Sequence, residues 1–232
     1  MAVSPRSVTL DRWLKSLARR SRPRSPSRRS RVELGDFGRH RPSLDQDEAS
    51  VYDALVRRFL RPRLATLAGP GLVLGVDAEP GWMDVLPAAA DVKVGRMTGG
   101  FERELEATAT VDWVVLDRCL QRMPEPTVAL EEVVGRLKPG AALITLFTGI
   151  ARAEPEGRRP LWSVAPYAAR RLHEERRELE RLEVEQHGNV ALALAWLYWL
   201  PADDLTEQEL ATVDPAYPVL VGVTASRRGR RG

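Results

Sequence analysis

The sequence has few of the residues that build disulfide frameworks, metal centres or membrane spans. Its single cysteine, Cys119, excludes an internal disulfide and any zinc site with several cysteine ligands. The three histidines lie far apart in sequence, and none has a neighbouring cysteine, so no metal site is expected. The longest apolar run, 190–200, is about half of the roughly 20 residues that a transmembrane helix needs. These absences predict a cytoplasmic protein with no transmembrane segment.

Several common catalytic motifs are also missing. The sequence contains no G-x-x-x-x-G-K-[ST] phosphate loop, no H-E-x-x-H zinc motif and no G-x-S-x-G nucleophile turn. Gly69, Gly71 and Gly75 are spaced somewhat like a dinucleotide fingerprint, but Gly69 and Gly71 precede the predicted strand instead of following it. Phosphate-loop, zinc-protease, serine-hydrolase and dinucleotide-binding functions are therefore not expected.

The positive charge is concentrated in the two ends of the chain. Residues 1–31 and 227–232 together hold 14 of the 35 basic residues but one of the 32 acidic residues, although the whole chain carries only +3. The body, 32–226, therefore has 21 basic and 31 acidic residues, a net charge of −10. An acidic body does not favour binding of a polyphosphate, so no specific nucleic-acid partner is expected.

The chain is predicted to consist of one folded domain between two basic tails. Residues 16–31 are rich in Arg, Ser and Pro and contain almost no apolar side chains, a composition typical of disorder. Before them, Trp13 and Leu17 lie on one side of a short arginine-rich helical pattern, which also fits a transit peptide or a membrane-surface anchor. We predict a disordered extension over 1–31, a domain over 32–226 and a basic tail over 227–232.

Strand-like apolar runs alternate with helix-like segments along the body. Helical periodicity begins near Ser43, whose spacing from Gln46 fits a capping box, and Pro62 is expected to limit that helix. Apolar residues recur on one face of it: Tyr52, Leu55, Val56, Phe59 and Leu60. Further helices are predicted at 101–107, 126–137, 166–179 and 190–200, and strands at 72–76, 91–94, 113–116, 141–147, 182–186 and 219–225. This alternation predicts an α/β, doubly wound fold with a mostly parallel sheet and helices on both faces.

The clearest of these units is the predicted helix and strand over 126–147. Pro126 suits the first helical position, and four apolar residues follow at helical spacing: Leu130, Val133, Val134 and Leu137. Pro139 and Gly140 are expected to stop the helix, and the continuous apolar run 141–147 is typical of a strand covered on both faces. With the preceding strand, this unit predicts a right-handed crossover in a parallel sheet.

These motifs resemble a known family. The segment 111–147, VDWVVLDRCLQRMPEPTVALEEVVGRLKPGAALITLF, resembles the fourth strand, following helix and fifth strand of class I S-adenosylmethionine-dependent methyltransferases. The segments DFGRHRPSLDQDEASVYDALVRRFL, HGNV and DPAYPVLVGVTA are similar to a bacterial subgroup associated with glycan or secondary-metabolite genes. The resemblance covers roughly 31–226 and implies a Rossmann-like sheet of seven strands with S-adenosylmethionine as the cofactor.

The expected cofactor loop departs from the family pattern, in which an acidic residue is followed by glycines in E-x-G-x-G-x-G. In this alignment Gly75 stands at the acidic position, Asp77 and Glu79 replace the first two glycines, and Gly81 matches the third. Asp77 or Glu79 could receive the sulfonium or the ammonium group of the cofactor by charge. Equally, their side chains could fill the space that the methionine moiety needs.

The resemblance implies other contacts after the second, fourth and sixth strands. After the second strand the family has a carboxylate for the ribose hydroxyls, whereas this chain has Gly95 and Arg96, unless Asp84 or Asp91 substitutes. The remaining candidates follow the fourth and sixth strands: Asp117 and Arg118 for the cofactor, and Gln121, His187 and Asn189 for the substrate.

Two functions follow from these observations. The first is methyl transfer from S-adenosylmethionine to a small molecule or a glycan, with O-methylation favoured and the catalytic residues unknown. The second is a catalytically inactive methyltransferase-like scaffold or partner protein, because both cofactor elements are altered. The apolar segment 190–200, with its Trp and Tyr residues, is a candidate core element or surface for a homodimer or a catalytic partner.

Overall fold

A computed structural model describes residues 50–76, 80–88, 91–96, 110–152 and 160–229. The predicted extension over 1–31, the helix start at Ser43 and the helix over 101–107 lie outside these residues, as do Asp77 and Glu79. None of the helices in the described ranges is both long enough and apolar enough to cross a membrane.

The described residues form an α/β fold around one mixed sheet. Its six strands are β1 Gly71–Gly75, β2 Val92–Arg96, β3 Val111–Asp117, β4 Leu137–Thr148, β5 Leu179–His187 and β6 Leu220–Arg227. They lie in the order β2-β1-β3-β4-β6-β5. The β1–β2, β1–β3 and β3–β4 pairs are parallel, whereas β6 is antiparallel to both β4 and β5.

Helices cover both faces of this sheet, as the sequence predicts. They are α1 Val51–Leu64, α2 Pro126–Arg136, α3 Pro166–Glu174, α4 Val190–Leu197 and the short α5 Glu207–Ala211. Successive strand residues point to opposite faces, so Leu72 and Leu74 pack in the cluster that contains α2 and α3 residues. Val73 packs in the other cluster, with α1 and α4.

The expected α/β class is confirmed, but the seven strands and the mostly parallel arrangement are not. The described residues provide six strands, and two of the five strand pairings are antiparallel because β6 inserts in the opposite direction between β4 and β5. Reversal of one strand cannot be read from apolar runs, because a buried strand has the same composition in either direction.

Two predicted helix ends are wrong, whereas the helix predicted over 126–137 ends at Arg136, before Pro139 as expected. Pro62 lies inside α1, which continues to Leu64, a fully buried residue whose packing offsets the hydrogen bond that the proline removes. Leu137 begins β4 by pairing with Val111, and exposed Pro139 and Gly140 lie within β4 next to an irregularity in its register. The helix expected to reach Leu179 ends at Glu174, because Leu179 is buried as the first residue of β5.

Candidate functional site

Strands β1, β3 and β4 end together at one edge of the sheet, and the polar residues there form the candidate site. Gly75, the last residue of β1, is the register partner of Asp117, the last residue of β3. In the sheet, β2 lies on one side of β1 and β3 lies on the other, so the chain changes direction across the sheet after β2. Open α/β sheets bind ligands outside the carboxyl ends of the strands at such a change of direction.

Asp117 is the buried centre of this edge. Its side chain has no exposed area, and Oδ1 accepts a hydrogen bond of 2.7 Å from the Tyr52 hydroxyl of α1. Oδ2 accepts a second bond of 3.1 Å from the indole Nε1 of Trp82, which is also fully buried. Arg118 Nε lies 3.3 Å from Oδ1. A buried carboxylate requires such partners, because an unpaired buried charge is strongly unfavourable.

Arg118 and Cys119 continue the chain beyond Asp117 in a constrained turn. Arg118 has a φ of 58°, in the left-handed region that favours glycine, and its guanidinium carbon lies 4.7 Å from the centroid of the Tyr52 ring. The Cys119 thiol lies 3.0 Å from the Leu74 carbonyl oxygen. Burial raises the pKa of Cys119, and burial together with the charge of Asp117 raises the pKa of Tyr52. Both groups therefore stay protonated at neutral pH.

Asp53, in the first turn of α1, lies against Gly81. Its Oδ2 accepts a bond of 2.6 Å from the Ser50 hydroxyl, which in turn caps α1 by accepting from the Asp53 N–H. Burial raises the pKa of the Asp53 carboxyl. A β-carbon added to Gly81 would lie 2.9 Å from the Asp53 carboxyl carbon and Oδ2, so Asp53 occupies the space beside this glycine. Gly81 is therefore required at least for packing against α1.

Gln121 connects the turn after β3 to the end of β4. Its amide nitrogen donates to Thr148 Oγ1 at 2.8 Å, and its amide oxygen accepts from the Thr148 N–H at 2.8 Å. The Gln121 backbone carbonyl accepts from the N–H groups of Leu161 and Trp162. These contacts give Gln121 a structural role at the candidate edge, and its contact with a substrate stays a prediction.

His187 is the last residue of β5 and Asn189 follows it, two strands away from β4 in the sheet order. The His187 ring makes an edge-to-face contact with Phe59 at 5.7 Å between centroids, and burial lowers its pKa. Asn189 caps α4: its side-chain oxygen accepts from the Leu192 N–H at 3.0 Å. Its amide nitrogen donates to the carbonyls of Glu209 and Thr212, both at 2.8 Å. The substrate roles expected for both residues stay predictions.

The structure thus brings Gly75, Gly81, Asp117, Arg118 and Gln121 to the region of the β1–β4 carboxyl ends. His187 lies at the same edge of the sheet, because it pairs with Leu220, which pairs with Thr148 at the end of β4. Sequence reasoning overlooked three residues there: Tyr52, Asp53 and Trp82. Tyr52 was recognised only as an apolar position of a helix, and Asp53 lies next to it in the same helix. Trp82 follows the candidate residue Gly81 directly in the sequence. This neighbourhood is the signal by which Trp82 could be assigned to the site.

An aromatic cluster occupies the far side of α1. The Arg152 guanidinium carbon lies 3.4 Å from the centroid of Trp196 and 3.5 Å from that of Trp199. Trp196 is buried, contacts Tyr52 at 5.7 Å between centroids, and donates from Nε1 to the Ile150 carbonyl. The cluster therefore ties the chain after β4 to the end of α4.

The described residues fit a cofactor of the expected family only in part. Gly75 provides no carboxylate, and the Asp117 carboxylate is occupied by protein donors. Asp84 forms an ion pair of 2.7 Å with Arg57 on the surface, and Asp91 is exposed. Within the described ranges, no group of three or more potential metal ligands occurs. These residues do not supply the ribose-binding carboxylate that the family resemblance implies.

Comparison with known proteins finds similarity to solved methyltransferase structures. The plantazolicin methyltransferase BpumL, in complex with a substrate analogue and S-adenosylhomocysteine, has a TM-score of 0.42 at 11% identity, covering 77% of this chain and 83% of that chain. A SAM-dependent methyltransferase from Thermotoga maritima has a TM-score of 0.45 at 13% identity, covering 77% and 90%. The O-methyltransferase TomG from Streptomyces achromogenes has a TM-score of 0.38 at 15% identity, covering 76% and 79%. No protein-family model and no curated protein sequence matches the chain.

Proposed function

We propose that this protein is an S-adenosylmethionine-dependent methyltransferase that acts on a hydroxyl of a small molecule or a glycan. The observation that carries the proposal is the convergence of Gly75 and Asp117 at the point where the chain changes direction across the sheet. Crevices at this point are where open α/β sheets bind ligands. The sequence resemblance over roughly 31–226 supports the same class.

The charge at this edge also supports a cationic ligand. Arg118 is a cation whose charge acts on both the Asp53 and the Asp117 carboxyl groups. This arrangement leaves one negative charge in excess among these three side chains, and Asp77 and Glu79 add acidic residues close by in sequence. S-adenosylmethionine carries a sulfonium that S-adenosylhomocysteine lacks, so the edge favours the former.

Little covalent assistance from the protein is needed for this reaction. The bound cofactor would supply a methyl group already activated on sulfur, and the protein mainly holds the acceptor in line with it. The high pKa values of Tyr52 and Cys119 therefore do not argue against the proposal. In this function the chain's contribution is to orient the ligand and to exclude water.

A second candidate function is a methyltransferase-like scaffold without catalytic activity. A specific observation favours it: both oxygens of Asp117 are bound by Tyr52 and Trp82, and no part of this carboxyl group is exposed. A scaffold needs a surface for a partner, and α4 exposes Val190 and Leu197. A second copy of the chain or a catalytic partner would bind there.

Calorimetric titration with S-adenosylmethionine and S-adenosylhomocysteine separates the two functions. We expect S-adenosylmethionine to bind more tightly, and an Asp53→Asn variant to reduce this preference while an Asp84→Asn variant on the exposed surface leaves it unchanged. No heat from either ligand at millimolar concentration would overturn the methyltransferase proposal and favour the scaffold. If binding is observed, transfer of a labelled methyl group to panels of small hydroxyl compounds and glycans tests the acceptor class.

A further inference from the structure

The two ends of chain segment 76–81 both lie beside Asp117, the first through strand pairing and the second through the carboxyl group. Gly75 immediately precedes the segment and is the register partner of Asp117. Trp82 immediately follows the segment and donates its indole N–H to Asp117 Oδ2 at 3.1 Å. In the proposed methyltransferase this segment corresponds to the cofactor loop.

We propose that Asp117 is a positioning residue whose carboxyl group fixes Trp82, at the end of segment 76–81, and α1, through Tyr52, beside the end of β1. This role rests on the proposed function only for its effect on ligand binding. It differs from the cofactor contact that the sequence resemblance implies for Asp117, because the carboxyl oxygens contact the protein itself.

The burial of all three side chains makes this connection strong. Asp117 and Trp82 are 0% exposed and Tyr52 is 1% exposed, so water does not compete for the hydrogen bonds. Hydrogen bonds to an ionised acceptor are stronger than neutral ones, and loss of a donor leaves part of a buried charge unsatisfied.

Segment 80–86 has a second attachment to α1 that serves as an internal control. Arg57 donates to the Gly81 carbonyl and to Asp84 Oδ1, but Asp84 is 55% exposed in its side chain. Exposed ion pairs contribute little to stability. An Asp84→Asn variant therefore perturbs the same segment from the surface without touching Asp117.

The experiment measures hydrogen exchange of the full chain by mass spectrometry, following peptides that cover 72–86 and 50–64. Trp82→Phe keeps an aromatic ring but removes the indole N–H together with part of the buried ring volume, whereas Tyr52→Phe removes only the hydroxyl. We expect Trp82→Phe to accelerate exchange in 72–86 by about tenfold or more, as loss of a bond to a charged group implies. Tyr52→Phe should instead act mainly on 50–64, and Asp84→Asn should change neither peptide by more than about twofold.

Replacements of Asp117, the acceptor of the Trp82 hydrogen bond, test the same role. Asp117→Asn keeps an oxygen that accepts from Trp82, so exchange in 72–86 should stay closer to that of the unmodified protein than in Asp117→Ala. If Asp117→Ala does not fold, Trp82→Phe still decides the question. Unchanged exchange of 72–86 in Trp82→Phe overturns the proposal.

Titration with S-adenosylmethionine distinguishes this proposal from the proposed function. If the unmodified protein binds, Trp82→Phe should weaken binding by about tenfold, in line with the loss of one hydrogen bond to a charged group. If it does not bind but Trp82→Phe accelerates exchange, the positioning role is supported while the proposed function fails. Binding by the unmodified protein with unchanged exchange and affinity in Trp82→Phe overturns the positioning role alone.

Discussion

Acid should destabilise this protein through one buried histidine, His173 of α3. The side chain has no exposed area, and its Nδ1 lies 2.8 Å from the Ala169 carbonyl oxygen, which can only accept. Nδ1 therefore carries the proton, and Nε2 accepts from the Thr145 hydroxyl of β4 at 3.0 Å. Both ring nitrogens are satisfied in the neutral form, and burial lowers the pKa of His173 to about 4.

The sign and size of the effect follow from this pKa. In the unfolded chain histidine has its ordinary pKa near 6.5, so below about pH 6.5 the unfolded state binds a proton that the folded state does not. Stability is therefore complete above this pH and falls as the pH decreases toward 4, where the loss levels off. A difference of about 2.5 pH units corresponds to a loss of about 3 kcal/mol.

The assay is urea unfolding at intervals between pH 7.5 and pH 4, comparing the parent with His173→Asn. Both proteins carry His187→Gln, because burial also lowers the pKa of His187 and would add to the slope. Carboxyl groups titrate equally in the two proteins, so the difference between the slopes isolates His173. We expect the variant to be less stable at pH 7.5 but to lose about 3 kcal/mol less on acidification. Equal losses in the two proteins would refute the reasoning.

Two further predictions concern stability. Asn189→Ala should lower the free energy of unfolding, measured with urea, by roughly 1–3 kcal/mol, because α4 loses its cap and two carbonyls lose their amide donor. Asn189→Asp keeps the cap acceptor but removes the amide donor, so it separates the two effects. Gly222→Ala should lower the melting temperature, since a β-carbon there would lie 2.4 Å from the Phe59 ring, at a cost of roughly 1–3 kcal/mol. Gly135→Ala is its control: no atom lies within 4 Å of the added carbon, so this helical substitution should be neutral or slightly stabilising. A loss as large for Gly135→Ala as for Gly222→Ala, or no loss for Asn189→Ala, would contradict these predictions.

Local patterns in the sequence predicted much of the fold. The apolar stripe of α1 that includes Tyr52 and Phe59 is buried, and all six strand-like runs form strands. The signals for these elements lie within about ten residues, which is the range over which helical and strand periodicity act. The ends were less predictable, since Pro62 and Leu137 are placed by packing against distant residues.

The candidate site was predictable in its location but not in its contacts. A polar residue after a buried strand, such as Asp117, was expected at the carboxyl edge, and the structure places it there. That its carboxylate binds Tyr52 and Trp82, which lie 65 and 35 residues away in sequence, was not predictable. Likewise, Asn189 precedes an apolar helix, a position typical of a cap, but its amide partners Glu209 and Thr212 lie 20 and 23 residues further on.

The sequence by itself therefore determined the α/β class, the buried faces of the elements and the edge at which polar residues gather. The tertiary structure decided that β6 runs antiparallel to both of its neighbours and that Tyr52 and Trp82 bind the Asp117 carboxyl group. The physical reason is that periodicity and capping depend on near neighbours, whereas strand direction and hydrogen-bond partners depend on how distant segments pack. Packing of α1 onto the sheet places the Asp117 carboxyl group in a buried connection between three parts of the chain.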